Sequence, residues 1–392
     1  MTVTGIICEY NPFHNGHLYH INKTRHVCGA DYIIGIMSGN FVQRGEASVT
    51  DKYTRTKMAL ISGCDIILEL PVRYATSSAE GFASAAVNTL ISTCITDNFC
   101  FGTEDGSLKK LSVISDILYN EPRAYSDELK IGQKNGLSFP AARMRALQVC
   151  TANNDIDYGP NNILAIEYLK ACKNTTLKPY TIKRTDGGYN ADDISLHPDG
   201  ICSAGAIRKY LYTNSKEGLI NYMPPKALSL LDSAVTTDDF SDILYSQLVY
   251  NKDHLYDFLD VSSDMASRIN NNINRYRSFT DFCKLIKTRQ LTYTRVSRAL
   301  LHICLGIRKY NLKCYDIPYI RLLGFRKDAS HIVKKLCQSA SVPVLKNARD
   351  INNLTSPTAI EMINEDIRCS ELYRYIQGKT EYNEYTHGLV IV

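Results

Sequence analysis

In its first hundred residues the chain switches repeatedly between strand-length apolar runs and helical spacing, and that alternation limits the folds open to it. Val3–Cys8 reads as a buried strand and residues 17–27 as the amphipathic helix after it. Residues 32–37 (YIIGIM) predict a second strand. Residues 52–62 predict a helix with Thr50 or Asp51 as its N-cap, and 65–70 (DIILEL) a third strand stopped by Pro71. Residues 78–92 predict a helix of small residues, and 98–102 (NFCFG) a fourth strand ending in glycine. Strands separated by helices pair in parallel through right-handed crossovers. The expected fold class is therefore α/β, a doubly wound parallel sheet, with ligands beyond the carboxyl ends of its strands.

Residues 109–173 read as mostly helical, 180–185 as a further strand, and about 184–198 as a polar, glycine-containing loop before a helix that starts near Ser203. Past Leu211 strand alternation fades and helical spacing dominates, as in Tyr293–Leu305. Two domains are expected: a nucleotide-binding catalytic domain over 1–210 and a mainly α-helical one over 211–392. Between residues 271 and 340 fifteen Lys and Arg face three Asp, a net +12 on a chain whose total is +5. That window is thus basic and the rest of the chain, at −7, acidic, which points to a polyanionic partner. No apolar run reaches the length of a membrane span and the N-terminus carries no leader pattern. The thirteen cysteines are scattered, with neither a CxxC pair nor a zinc-like cluster. A cytoplasmic protein with reduced thiols is expected, without a membrane or a stable protein partner.

The chemistry concentrates in NPFHNGHLYH, residues 11–20. A strand runs into a tight turn at Asn15-Gly16 and a helix begins at His17, so backbone N–H groups and the positive helix end face outward, ready for phosphate. His14 and His17 add donors, and Gly16 removes a side chain where a base must lie close. Nucleotidyl transfer needs positioning and charge stabilisation more than a covalent nucleophile, so this equipment suffices.

In this position the HNGH tetrad resembles the HxGH nucleotidyltransferase superfamily (HUP, Rossmann-like). EYNPFHNGHLYH, MSGNFVQRGEASV, RTKMAL, CDIILELP, FCFGTEDG and GPNNILAIEYLKA together resemble the bacterial tRNA(Met) cytidine acetate ligases. The likeness runs through residues 3–110, returns at 159–185 and 201–209, and continues more weakly through RVSRALLHICL and LLGFRKDAS. It implies that acetate attacks the α-phosphate of ATP to give acetyl-AMP. The acetyl group then passes to N4 of the wobble cytidine (C34) of elongator tRNA(Met). No carboxylate cluster stands out as a metal site, and Mg²⁺ is expected as the counter-ion of ATP.

Residue roles follow from the same resemblance. Ile7, Cys8, Glu9, Tyr10, Asn11, Pro12, Phe13, His14, Asn15, Gly16, His17, Leu18, Tyr19 and His20 match the family's ATP-contacting loop, with His14 and His17 as its catalytic pair. Gly102, Asn161, Asn162 (the preferred of the two), Arg184 and Thr185 match further ATP contacts. CSAGAIRKY (202–210) matches the second phosphate motif, keeping Ser203 and Arg208 but with Gly205 at its usual threonine. Residues 38–46, Arg55 and Lys57 are expected near the mouth of the site. Arg295, Arg298, Arg326 and Lys327 are the tRNA-binding candidates, with Arg321 among the secondary ones. Two alternatives compete: an adenylyltransferase acting on a small phosphorylated metabolite, and a non-catalytic nucleotide- or RNA-binding protein.

Overall fold

β1 (Val3–Cys8), β2 (Tyr32–Ser38), the short hairpin β3 (Phe41–Val42) and β4 (Glu46–Ala47), β5 (Ile66–Leu70), β6 (Asn98–Thr103) and β7 (Lys178–Lys183) fall where the strand-like runs predicted them, within two residues, save the hairpin, which the sequence reading left unassigned. The computed structural model describes residues 1–104, 106–151, 159–184, 200–232, 234–310, 315–379 and 381–392. Thr185 and the loop expected around 184–198 lie, from residue 185 onward, outside the described residues. The parallel strands stand in the order β5-β2-β1-β6-β7. The order reverses between β1 and β6, so the crevice at their carboxyl ends is the topological switch point of the sheet.

Period-two alternation divides each strand between two cores. Ile34, Ile36, Leu68, Phe99 and Phe101 face one layer, with helices Ala79–Ser92, Leu108–Asn120 and Pro160–Cys172. Ile6, Ile33, Met37, Ile67 and Cys100 face the other, with helices Asn15–Cys28, Lys52–Ile61 and Ala204–Leu211. The sheet is thus covered on both faces, as a doubly wound fold requires. Asp51 rather than Thr50 caps helix Lys52–Ile61, its Oδ1 accepting from the Tyr53 and Thr54 N–H groups at 2.9 Å each.

The second half is mainly helical but also contributes strands to the sheet. Helices Ser241–Tyr250, Phe279–Ile286 and Tyr293–Leu305 build a separate core around Phe240, Phe282 and Leu300. After Gly306 the chain returns to the sheet. β8 (Ile320–Phe325) pairs antiparallel with β5, while β9 (Val344–Leu345) and β10 (Val390–Ile391) lie parallel to β8. Three strands therefore lie beyond the boundary drawn at 211. The reason is physical: Leu322 faces one core and Leu323 the other, so the strand has no alternation to read and its partner is remote in sequence. Helix Pro357–Gln377 ties the units together, with Met362 and Ile363 in the sheet core and Tyr373 in the helical one.

Candidate active site

The HNGH turn opens directly off the carboxyl end of β1, beside the switch point. His14 is the N-cap of helix Asn15–Cys28 and is buried. Its Nδ1 accepts from the Gly16 N–H at 3.1 Å, and Nδ1 of His17 accepts from the His14 N–H at 3.3 Å. The two imidazoles thus close a reciprocal capping box, a role usually filled by a hydroxyl and a carboxylate. Because both Nδ1 atoms accept, the neutral rings carry their proton on Nε2. The rings lie 3.7 Å apart between centroids, so two Nε2–H donors stand side by side. Burial, helped by His14, Arg184 and His20, pushes the His17 pKa well below its ordinary value, and the ring stays a neutral donor at pH 7.

Gly16 is explained by close approach: a Cβ there would lie 2.9 Å from Cε1 of His14. Asn15 serves the scaffold, its Nδ2 donating to the carbonyls of Gly200 at 3.1 Å and Asn221 at 2.9 Å. Asn11 is shared between Val49 N–H, which it accepts at 2.7 Å, and Arg208, whose Nη1 donates to its carbonyl at 2.8 Å. The side chains of Tyr10 and Phe13 belong to the core, whereas Tyr19 is exposed. Burial raises the pKa of Glu9, whose Oε1 accepts from the Gln43 N–H at 2.9 Å.

His20, one turn beyond His17, has its Nε2 buried without a hydrogen-bond partner. Burial, and then the charge of Arg184, push its pKa down to about 4 from 6.5. The folded-state value is the lower one, so the stabilisation is complete above pH 6.5 and is lost as pH falls towards 4. The shift is worth roughly 3 kcal/mol across that window. Unfolding midpoints of wild type and His20→Gln, followed from pH 7 to pH 5, should show a shallower slope for the variant; equal slopes would remove His20 as the cause.

Across the switch point, Gly102 near the end of β6 makes room for Arg184, since a Cβ on Gly102 would sit 3.3 Å from Cγ of Arg184. Arg184 donates from Nη1 to Oδ1 of Asn161 at 3.2 Å. Asn161 is part-exposed and faces this arginine, whereas Asn162 is fully buried and its Oδ1 accepts from the Glu104 N–H at 3.1 Å. Geometry therefore favours Asn161 over Asn162 as the group open to a ligand. Ser203 caps helix Ala204–Leu211 through Ala206 N–H at 3.1 Å, and Arg208 also pairs with Glu46 at 3.5 Å. The structure thus brings the HNGH turn, Gly102, Asn161, Arg184 and Arg208 to one rim.

Other expectations change. Arg55 is not at the mouth of the site: it is fully buried, donating to the carbonyls of Thr50, Glu9, Ser38 and Gly39. It fastens the carboxyl ends of β1 and β2 from below. Arg321 is buried against Glu69 and Glu384 and offers nothing to RNA. The four main tRNA candidates separate into two places. Arg295 is exposed in the first turn of helix Tyr293–Leu305, whose Ser297 Oγ donates to Gly45 O at 2.8 Å beside the β3–β4 hairpin. Arg298 next to it pairs with Asp260 at 3.2 Å and is 12% exposed. Arg326 and Lys327 follow β8, which runs against β5, so they lie at the opposite, amino-end rim; Arg326 N–H donates to Asp65 O at 2.9 Å. Sequence reasoning missed Glu104, whose two oxygens reach Asn161 and Asn162; its place in FCFGTEDG was the only signal.

A family model described as HIGH Nucleotidyl Transferase matches residues 1–387. A tRNA(Met) cytidine acetate ligase of Clostridium perfringens (strain SM101) is 37% identical over 399 aligned residues, spanning 98% of this chain and 97% of its own. Another, from Thermoanaerobacter pseudethanolicus, is 38% identical over 386, spanning 95% of both. Among solved structures, apo Thermotoga maritima TmcAL superposes with a TM-score of 0.92 at 28% identity and full coverage of both chains. The same protein bound with alpha-thio ATP gives 0.89 at 29% identity, covering 100% and 99%.

Proposed function

The chain belongs to the HIGH nucleotidyl transferase family and, within it, to the tRNA(Met) cytidine acetate ligases, and from that membership we propose the course of its reaction and the residues that carry it. It is an ATP-dependent ligase that acetylates a tRNA cytidine. An acetate oxygen attacks the α-phosphorus of ATP, forming acetyl-AMP and expelling pyrophosphate. N4 of the wobble cytidine of elongator tRNA(Met) then attacks the acetyl carbon, AMP leaves, and the nitrogen gives up a proton. The observation that carries the first step is the pair of adjacent histidines, ring centroids 3.7 Å apart, whose Nδ1 atoms both accept in the capping box so that their Nε2 atoms carry the ring protons. They donate to phosphate oxygens as charge grows on them, and Arg184 and Arg208 balance the pyrophosphate.

Among the described residues no cluster of His, Cys, Asp or Glu is built to hold a metal ion. Mg²⁺ is proposed as the counter-ion of ATP, where it would offset charge on the triphosphate. No described helix is long and apolar enough to cross a membrane, and no disulfide joins the described cysteines, which suits a cytoplasmic enzyme. Pyrophosphate exchange into ATP tests the reading: it should require acetate and proceed without tRNA. Exchange that responds only to a phosphorylated metabolite would favour a metabolic adenylyltransferase instead.

The anticodon has to reach the rim that holds the histidines, so Arg295 is the better placed of the basic candidates. Arg295→Glu should weaken tRNA binding roughly tenfold and lower its salt dependence by about one phosphate contact. Arg326→Glu with Lys327→Glu, at the opposite rim, should cost less. Filter binding at two salt concentrations decides; a larger loss in the Arg326/Lys327 variant would move the RNA surface to the far rim.

A further inference from the structure

Glu104, next after the last residue of β6, spans the first turn of helix Pro160–Cys172 with its carboxylate. Oε1 accepts from the Asn161 backbone N–H at 3.0 Å and from its side-chain amide at 2.7 Å, and Oε2 accepts from the Asn162 N–H at 2.7 Å. Gly159 leaves space for it, since a Cβ there would lie 2.7 Å from the Glu104 carboxyl carbon. Two consequences follow. The positive end of this helix, which would otherwise attract a phosphate, is already satisfied by a fixed negative charge. The orientation of the Asn161 side chain is also decided. A carboxylate can only accept, so the Asn161 NH₂ must face Glu104 and its oxygen must face away. That oxygen accepts from Nη1 of Arg184, whose stem lies over Gly102.

We infer that Glu104 is a positioning residue of the nucleotide site, acting through Asn161 to aim the Arg184 guanidinium over the end of β6. The inference rests on the reading that Arg184 and Gly102 belong to the ATP site. Glu104 also keeps the polyphosphate off the neighbouring helix end, leaving the HNGH turn as the favoured anion site on this rim.

A double-mutant cycle tests it, read as KM for ATP and kcat in acetate-dependent pyrophosphate exchange, with the thermal midpoint of each variant. Arg184→Ala should raise KM by roughly tenfold, the cost of one hydrogen bond to a charged group. Glu104→Ala should raise KM several-fold with kcat within about twofold, and the double variant should match Arg184→Ala alone because the two act in series. If Glu104→Ala does not fold, Glu104→Gln carries the same cycle, because one oxygen still accepts from the helix N–H groups. An unchanged KM with a lowered midpoint would reduce Glu104 to a helix cap and overturn the inference. So would a double variant whose KM rise is the product of the single ones. If Arg184→Ala itself leaves KM unchanged, the site reading fails as well, which separates the two failures.

Discussion

Exchanging His14 for Asn or His17 for Gln should each cut acetyl-adenylate formation by about 10²–10³, the loss found when one preorganised transition-state donor is removed. These replacements are chosen for the capping box. Asn is among the strongest N-cap residues and can accept from the Gly16 N–H in place of Nδ1 of His14. Gln at the third helical position can accept from the His14 N–H as Nδ1 of His17 does. The helix start should therefore survive while both Nε2–H donors are lost. Single-turnover formation of acetyl-AMP is the measurement, with tRNA affinity and thermal midpoint as controls. Activity within a factor of five of wild type in His14→Asn would mean the histidines are caps and little more. Alanine at either position could not make that distinction, because it removes cap and donor together.

Much of this site was legible in the sequence because its parts are local. β1, the Asn15-Gly16 turn and the following helix are contiguous, and their dihedral and capping preferences are set within a few residues. That Gly102 shares the rim of the HNGH turn followed from the parallel arrangement once four strands were recognised, whereas the pairing of β6 with β1 came only with the fold. What stayed hidden depends on distant pairing. Lys52 and Arg55 lie on a helix with polar spacing, and charged residues there are ordinarily solvated. Only the fold shows that Arg55 answers four carbonyls and that Lys52 is fully buried. Arg321 misled in the same way: a cation in a basic window reads as an RNA ligand until its carboxylates, Glu69 and Glu384, are brought to it. The strand β8 that carries it has no two-faced alternation to announce it. Glu104 was concealed for a further reason, since the turn it caps begins more than fifty residues later in the chain.

The second large effect is expected far from the HNGH turn, at Glu384. Lys52 Nζ lies 2.9 Å from Glu69 Oε1 and 3.2 Å from Glu384 Oε2, and Arg321 pairs with both carboxylates. Tyr53 donates its hydroxyl to Glu384 Oε2 at 3.0 Å. Two cations and two carboxylates thus neutralise each other out of contact with water. Burial alone would raise the Glu384 pKa, but Lys52 and Arg321 hold it down to about 2. Glu384→Gln leaves a buried positive charge uncompensated, a change that costs about 3–5 kcal/mol. In wild type this stabilisation is present above pH 4.5, the ordinary glutamate value, and is lost as pH falls towards 2; the variant should lack that slope. Adding Lys52→Met should restore most of the stability, because it removes the orphaned charge along with its partner. Denaturant midpoints of the two single variants and the double settle the matter, and simple addition of the losses would show that the ions are not coupled. The site has a stake in the outcome. Lys52 opens the helix whose Arg55 holds the Glu9 carbonyl at 2.6 Å, so the last turns of the chain brace the strand end from which the HNGH turn departs.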